Sequence, residues 1–166
     1  MTNENQVDQK EQASQDDNIV NIRCEDIRLI SSSLKFMEEV TEEAAGLGFG
    51  IRVVVDKNKA FGYLDVKLQN RDIQENETTP GYILEFAFMG SFIPDSSMPD
   101  EDLAEFAKLY TLSILWPYAR EYISDVLRRA GEIGVVLPII NPQKVTEDLV
   151  ATDSVQVTIH QYDEEE

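Results

Sequence analysis

The side chains that most often carry chemistry in proteins are scarce in this sequence. Cys24 is the only cysteine and His160 is the only histidine. An intramolecular disulfide and a Cys/His metal cluster are therefore both excluded by count. A catalytic triad would have His160, beside a polar C-terminal end, as its one candidate base. We interpret Cys24 as a small buried apolar residue and His160 as a solvated side chain, and we expect no cofactor and no metal.

Two further patterns resemble chemical sites without meeting their requirements. The GLGFG run at residues 46–50 has the glycine content of a phosphate-binding loop. It follows a helix-like stretch and precedes a strand pattern, which reverses the strand–loop–helix order that such a loop needs. The 32 acidic residues offer many carboxylate pairs, but none lies in an apolar pattern that would raise its pKa for acid–base catalysis. We therefore expect a protein that is not an enzyme.

Composition limits the class of protein and of partner. A chain of 166 residues fits one domain with a sizeable core. The 32 acidic residues against 14 basic ones give a formal charge of −18, which argues against nucleic acid or an anionic membrane as partner and permits a basic one. The same charge is also explained by solubility alone. The N-terminus has no basic start and no apolar stretch typical of a secretory signal, and a lone cysteine fits a reducing compartment, so we expect a cytoplasmic protein without membrane insertion.

The ends of the chain differ in composition from its middle. Residues 1–17 are polar and are predicted to be a disordered acidic tail, followed by one domain over residues 18–150. Residues 151–166 are predicted to be an acidic C-terminal tail. Within that tail Val155, Val157 and Ile159 alternate with polar residues, a pattern typical of an extended segment.

Alternating apolar residues predict four strands before any long helix. The first strand contains Cys24 and then Ile27 one position out of phase, which indicates a bulge. A partly helical crossover is predicted over residues 31–50, where Leu34, Met37 and Val40 share a spacing. The other three strands are predicted around Ile51, Val53 and Val55; around Leu64, Val66 and Leu68; and around Tyr82, Leu84, Phe86 and Phe88.

Helices are predicted after the strands. Pro99 and the acids that follow it mark a helix start, with Leu103, Phe106, Leu109 and Tyr110 on one apolar face. A kink or restart is expected at Pro117, an end near Gly131, and a last short helix from Asn141 and Pro142. The predicted fold class is α+β, a four-stranded antiparallel sheet followed by helices.

The run LWPYARE at residues 115–121, the apolar loop at residues 133–140 and the closing Pro142 resemble SecB, the bacterial protein-export chaperone family. The resemblance extends over about residues 20–150. It implies a homotetramer, arranged as a dimer of dimers with the long helices between the sheets. It also implies an ATP-independent holdase that keeps unfolded preproteins ready for export.

The resemblance also implies which residues bind partners. The client-binding residues would be Phe36, Met37, Ile133, Val135, Val136, Leu137, Ile139 and Ile140. Asp26 and Glu85 match acids that contact the basic, zinc-binding tail of the SecA motor, whereas Ile30 stands where the family carries a third, glutamate. Trp116, Tyr118, Tyr122 and Ile123 are predicted at the oligomer interface, with core packing as the alternative for Trp116 and Tyr118.

Three alternatives remain open from the sequence. The apolar loop at residues 133–140 is also compatible with a strand edge in the core. The missing third acid and the altered C-terminus are compatible with a SecB-like chaperone dedicated to the antitoxin of a toxin–antitoxin system. From a different class, an acidic adaptor that binds one folded basic partner would explain the charge without a client groove.

Overall fold

The computed structural model describes residues 20–37, 46–70, 81–132 and 137–160. An α+β fold is confirmed, because strands come first and helices follow. The elements in chain order are β1 (Ile22–Met37), β2 (Gly46–Val55), β3 (Ala60–Asn70), β4 (Gly81–Pro94), α1 (Asp100–Arg129), α2 (Pro142–Ala151) and β5 (Val155–Ile159). The predicted tail over residues 1–17 lies outside the described residues. β1 begins soon after it, at Ile22.

One sheet contains all the described strands, in the order β1-β4-β3-β2-β5. The first four are antiparallel to their neighbours, as predicted. The prediction of a four-stranded antiparallel sheet is nevertheless incomplete, because β5 adds a fifth strand parallel to β2. Residues 155–159, which we assigned to a C-terminal tail, thus join the sheet, since their alternating Val155, Val157 and Ile159 suit a strand.

The predicted helical crossover is wrong for the residues that the structure describes. Residues 31–37 continue β1, and residues 46–50 begin β2. The helical spacing of Leu34 and Met37 is overridden because Ser32, Leu34 and Phe36 alternate along a strand and stand opposite the aromatic and aliphatic residues of β4. Residues 38–45 lie outside the described residues. The predicted bulge is confirmed by a register shift between Cys24 and Asp26.

Helix α1 is continuous, although a kink or restart was expected at Pro117. Its proline side chain lies on the exposed side of the helix, where the lost backbone hydrogen bond leaves a carbonyl that water can reach. The acids Asp100, Glu101 and Asp102 occupy the first turn, and basic residues occupy the last one. Gly131 follows with a φ of 91°, the left-handed conformation predicted for the helix end.

The core lies between α1 and one face of the sheet, which we call the inner face. Gly62 of β3 lets α1 approach closely, because a Cβ at that position would overlap the Thr111 side chain. Leu109 and Tyr110 were predicted on the buried face of the helix, but they are exposed. The fully buried side chains include Ile51, Val53, Leu64, Leu84, Phe92, Leu103, Leu112, Leu115, Ile123 and Leu127.

A short second helix leads from the apolar loop to β5. The predicted cap is present, because the Asn141 side chain accepts hydrogen bonds from the backbone N–H groups of Gln143 at 3.1 Å and Lys144 at 3.3 Å. Pro142 takes the first helical position. None of the helices in the described part of the chain is long and apolar enough to span a membrane.

Candidate functional site

The face of the sheet opposite α1, which we call the outer face, carries both acids predicted to contact SecA. Asp26 stands directly opposite Ser91 across β1 and β4, and Glu85 stands opposite Ser33. Because side chains alternate along a strand, Glu85 and Ser91 share one face of β4, and Asp26 shares it with them. The register of the sheet thus places the two acids on one surface.

Basic side chains already contact these acids. The Arg28 Nε lies 2.5 Å from the Asp26 Oδ2, and the Lys67 Nζ lies 3.6 Å from the Glu85 Oε1. Both pairs are exposed, so each contributes little to stability. Each cation still offsets the charge that a basic partner would recognise.

A third ion pair joins neighbouring strands on the same face. Arg52 of β2 donates from Nε and Nη2 to the Asp65 carboxylate of β3 at 2.9 and 3.2 Å, and its guanidinium lies 4.8 Å from the centre of the Tyr63 ring. Hydrogen bonding to Asp65 raises the pKa of Arg52 above its ordinary value. This bidentate pair fixes one end of the outer face.

Small residues leave a trough of about 520 Å³ on the outer face beside Glu85. Its lining includes Ser31 and Ser33 of β1 and Gly48 and Gly50 of β2. A Cβ on Gly48 would come no closer than 3.9 Å to another heavy atom, the Lys67 carbonyl oxygen. Packing therefore does not require glycine at position 48. Because Gly48 has no side chain, the trough stays open.

The apolar loop divides into buried and exposed residues. Leu137 is 7% exposed and belongs to the core, whereas Ile139 is 91% exposed. Ile140 is partly buried against the core. The other predicted client residues of the loop, Ile133, Val135 and Val136, lie outside the described residues. The loop thus contributes Leu137 to the core and leaves Ile139 on the surface.

The predicted opposite wall of the client site lies at the end of β1. Phe36 is 49% exposed, and its backbone pairs with Tyr82. Met37 is the last residue of β1 and pairs with Gly81, while its side chain lies outside the described part. None of the described cavities is lined by Phe36 together with a described residue of the loop.

The residues predicted to pack in the core or between subunits differ in burial. Trp116 and Ile123 are buried within the chain, and the Trp116 ring lies edge-on to Phe49 with 5.3 Å between centroids. Tyr122 contacts Phe86 edge-on at 5.0 Å. Tyr118 is 47% exposed and is the member of this group with the most surface to offer to a partner.

Two strand edges are features that the sequence did not reveal. β1 is an edge strand from Ile22 to Met37, and Leu29, Ile30 and Phe36 expose apolar surface along it. β5 pairs only with the second half of β2, opposite Ile51 through Val55. Strand order across a crossover is set by tertiary packing, so no local pattern could have indicated which edges stay open.

Comparison with protein families identifies the chain. Residues 32–150 match the family model described as SecB, preprotein translocase subunit SecB. The chain belongs to the SecB family. The matched segment begins within β1 and ends within α2, so the fifth strand of this SecB family member lies beyond it.

A solved structure shares the SecB-like fold. It is a SecB-like chaperone from Mycobacterium tuberculosis in complex with a ChAD peptide from the HigA1 antitoxin. It matches with a TM-score of 0.56 and 22% sequence identity, over 72% of this chain and 91% of that chain. Comparison with curated proteins finds no match. At this identity the structural likeness shows the fold alone.

Proposed function

We propose that the protein is an ATP-independent holdase that binds unfolded segments of client proteins in the cytoplasm and catalyses no reaction. The observation that carries the proposal is Ile139, which exposes 91% of its surface in an apolar loop of a SecB family member. An aliphatic side chain so exposed gains free energy when an unfolded segment covers it. Phe36, at the end of β1, is a second member of the predicted client set with exposed apolar surface.

One such site binds weakly by itself. Burying a large aliphatic side chain yields roughly 1.5–3 kcal/mol, whereas association costs an estimated 4–15 kcal/mol in lost freedom and ordering. Several sites that hold one long chain overcome this cost, because the second contact benefits from a high effective concentration. We therefore propose a homotetramer, and the long open edge of β1 with exposed Leu29 and Ile30 offers a surface for pairing between copies.

We propose export as the destination of the clients, with preproteins passed to SecA. Support comes from Asp26 and Glu85, which share the outer face of the sheet. For SecA to contact them, its basic tail would have to replace Arg28 and Lys67 as the ion-pair partners. Exposed ion pairs exchange at little cost, so this replacement is physically accessible.

The second candidate function is that of a chaperone dedicated to the antitoxin of a toxin–antitoxin system. The observation that favours it is the weakened acidic surface, since Ile30 takes the place of the family's third acid and both remaining acids are already paired. The solved chaperone of the same fold is bound to an antitoxin peptide. A tightly bound antitoxin segment together with undetectable binding of the SecA tail would decide for this candidate.

The test of the holdase proposal measures aggregation of a chemically unfolded model protein diluted into buffer without nucleotide. The parent protein is expected to suppress aggregation, and Ile139→Ser is expected to suppress it less without loss of stability. Leu109→Ser is the matched control, because it removes another exposed aliphatic side chain, 40% exposed, from α1 and not from the apolar loop or the edge of β1. If the protein binds a folded basic protein and ignores the unfolded one, it is an acidic adaptor and not a holdase.

A further inference from the structure

β5 occupies part of an edge that is built to accept a strand. It pairs in parallel with β2 from Ile51↔Val155 to Val55↔Ile159. The first half of β2, residues 46–50, has no described strand on that edge. At about 3.3 Å per residue, each half of the edge is roughly 17 Å long. One continuous edge is thus half covered by β5 and half without a partner among the described strands.

The open half lacks the usual protection of an edge strand. Natural edges are commonly protected by charged side chains, prolines or bulges, which oppose pairing with another chain. Residues 46–50 contain no charge and no proline, and every second one is a glycine, so the outer side of this backbone is bare. Leu47 and Phe49 meanwhile pack partly against the core on the inner side. Within the described part of the chain, no strand pairs with the backbone N–H and C=O groups on this side of residues 46–50.

β5 is held less firmly than the strands it joins. It contains five residues in a parallel pairing, which is slightly less stable per residue than an antiparallel one. Only Val155 and Ile159 pack partly against the core, while the three residues between them are exposed, including Val157. The strand is reached through a tight turn at the end of α2, in which Asp153 has a φ of 53°, the left-handed conformation that aspartate tolerates.

We infer that β5 is a built-in competitor for client segments. An extended client segment with alternating apolar residues pairs first with residues 46–50 of β2 and then displaces β5 to continue along Ile51 through Val55. The inference rests on the proposed holdase function. Because β5 stays tethered to α2 by residues 152–154, it returns when the client leaves, so clients must be long enough to cover both halves of the edge before they bind tightly.

Three forms of the protein test this inference through the affinity for a fluorescent, permanently unfolded model protein. The first is the parent. The second ends after Ser154, which keeps the hydrogen bond from the Ser154 N–H to the Leu149 carbonyl at the end of α2. The third carries Arg52→Cys and Gln156→Cys in a Cys24→Ser background, because these residues are register partners and a disulfide between them locks β5 in place. Its reduced form is the matched control.

The truncated protein is expected to bind about fivefold more tightly than the parent, because apparent affinity scales with the fraction of molecules in the binding-competent state. The locked protein is expected to bind more weakly than its own reduced form. Equal affinity in all forms, or equal affinity of the locked and reduced forms where the truncated chain does not fold, overturns the inference and leaves the holdase proposal intact. Absence of binding by every form overturns both. Binding by the truncated form alone supports complete closure by β5.

Discussion

Gly62 shows how a single residue sets the distance between the sheet and α1. A Cβ there would overlap the Thr111 hydroxyl and lie 2.8 Å from the Phe92 ring. Thr111 itself is buried and donates its hydroxyl hydrogen bond to the Ala107 carbonyl of its own helix at 2.6 Å. The helix can therefore come this close to β3 at Thr111 only because residue 62 has no side chain. The sequence contains this glycine but does not show that a helix covers it.

The first prediction concerns that close approach. Gly62→Ala is expected to lower the free energy of unfolding by about 1–3 kcal/mol, because overpacking forces the helix or Phe92 to move. Gly48→Ala is the matched control in β2 and is expected to change stability by less than about 1 kcal/mol, since its added Cβ would make only an ordinary contact, 3.9 Å from the Lys67 carbonyl oxygen. Urea unfolding followed by circular dichroism measures both. Equal losses in the two variants would show that strand glycines matter only for backbone conformation.

The second prediction concerns the acids of the outer face. Converting both Asp26 and Glu85 to lysine is expected to weaken binding of the SecA tail and to make the remaining binding less sensitive to salt. Glu105 and Asp125 of α1 are the matched control, because both are exposed and ion-paired and their conversion to lysine changes the net charge equally. Calorimetric titration at two salt concentrations distinguishes the cases. A similar loss in both double variants would assign the effect to net charge and not to this surface.

At the scale of elements, sequence patterns predicted the secondary structure that depends on neighbouring residues. They failed where contacts between residues far apart in the chain decide the structure. The antiparallel β2, β3 and β4 followed from alternation, and the bulge near Cys24 followed from a phase slip. Leu34 and Met37 have the spacing of one helix face, which predicts a helix at the end of β1, whereas the alternation of Leu34 and Phe36 suits a strand. Pairing with β4, which no local window contains, decides between them. The same limit hid the pairing partner of β5.

The third prediction concerns the helix that carries β5. Asn141→Ala is expected to destabilise α2 by about 1 kcal/mol, because two backbone N–H groups lose their side-chain acceptor. Asn141→Asp keeps an acceptor and serves as the conservative control. Hydrogen exchange of the α2 amides measures the effect, with faster exchange expected in Asn141→Ala alone. Unchanged exchange in that variant would show that Pro142 and tertiary contacts hold the helix start without the cap.

At the scale of the whole molecule, the large negative charge is not concentrated on the outer face of the sheet. Basic side chains outnumber acidic ones among the strand residues that face outward there, which include Arg23, Arg28, Lys35, Arg52 and Lys67 against Asp26, Asp65 and Glu85. Overall charge of this kind keeps a protein dispersed while it carries an apolar client. Recognition of a basic partner on this face would therefore depend on individual carboxylates and their exchange of ion pairs, and not on the formal charge of −18.

The last prediction joins assembly to client length. A tetramer that presents several apolar sites around Ile139 is expected to bind a long unfolded chain tightly and a short peptide weakly, because only the long chain reaches a second site and gains from effective concentration. Light scattering at micromolar protein should give the mass of four chains, and titration with unfolded segments of increasing length should show affinity rising steeply once a segment spans two sites.

A variant with Leu29→Lys and Ile30→Lys on the open edge of β1 is the control, because charges on an edge oppose pairing between copies. If that variant is a stable monomer that keeps its affinity for short peptides and loses the dependence on length, avidity is the mechanism. If the parent is itself monomeric, or binds short and long segments equally well, the multisite mechanism is wrong.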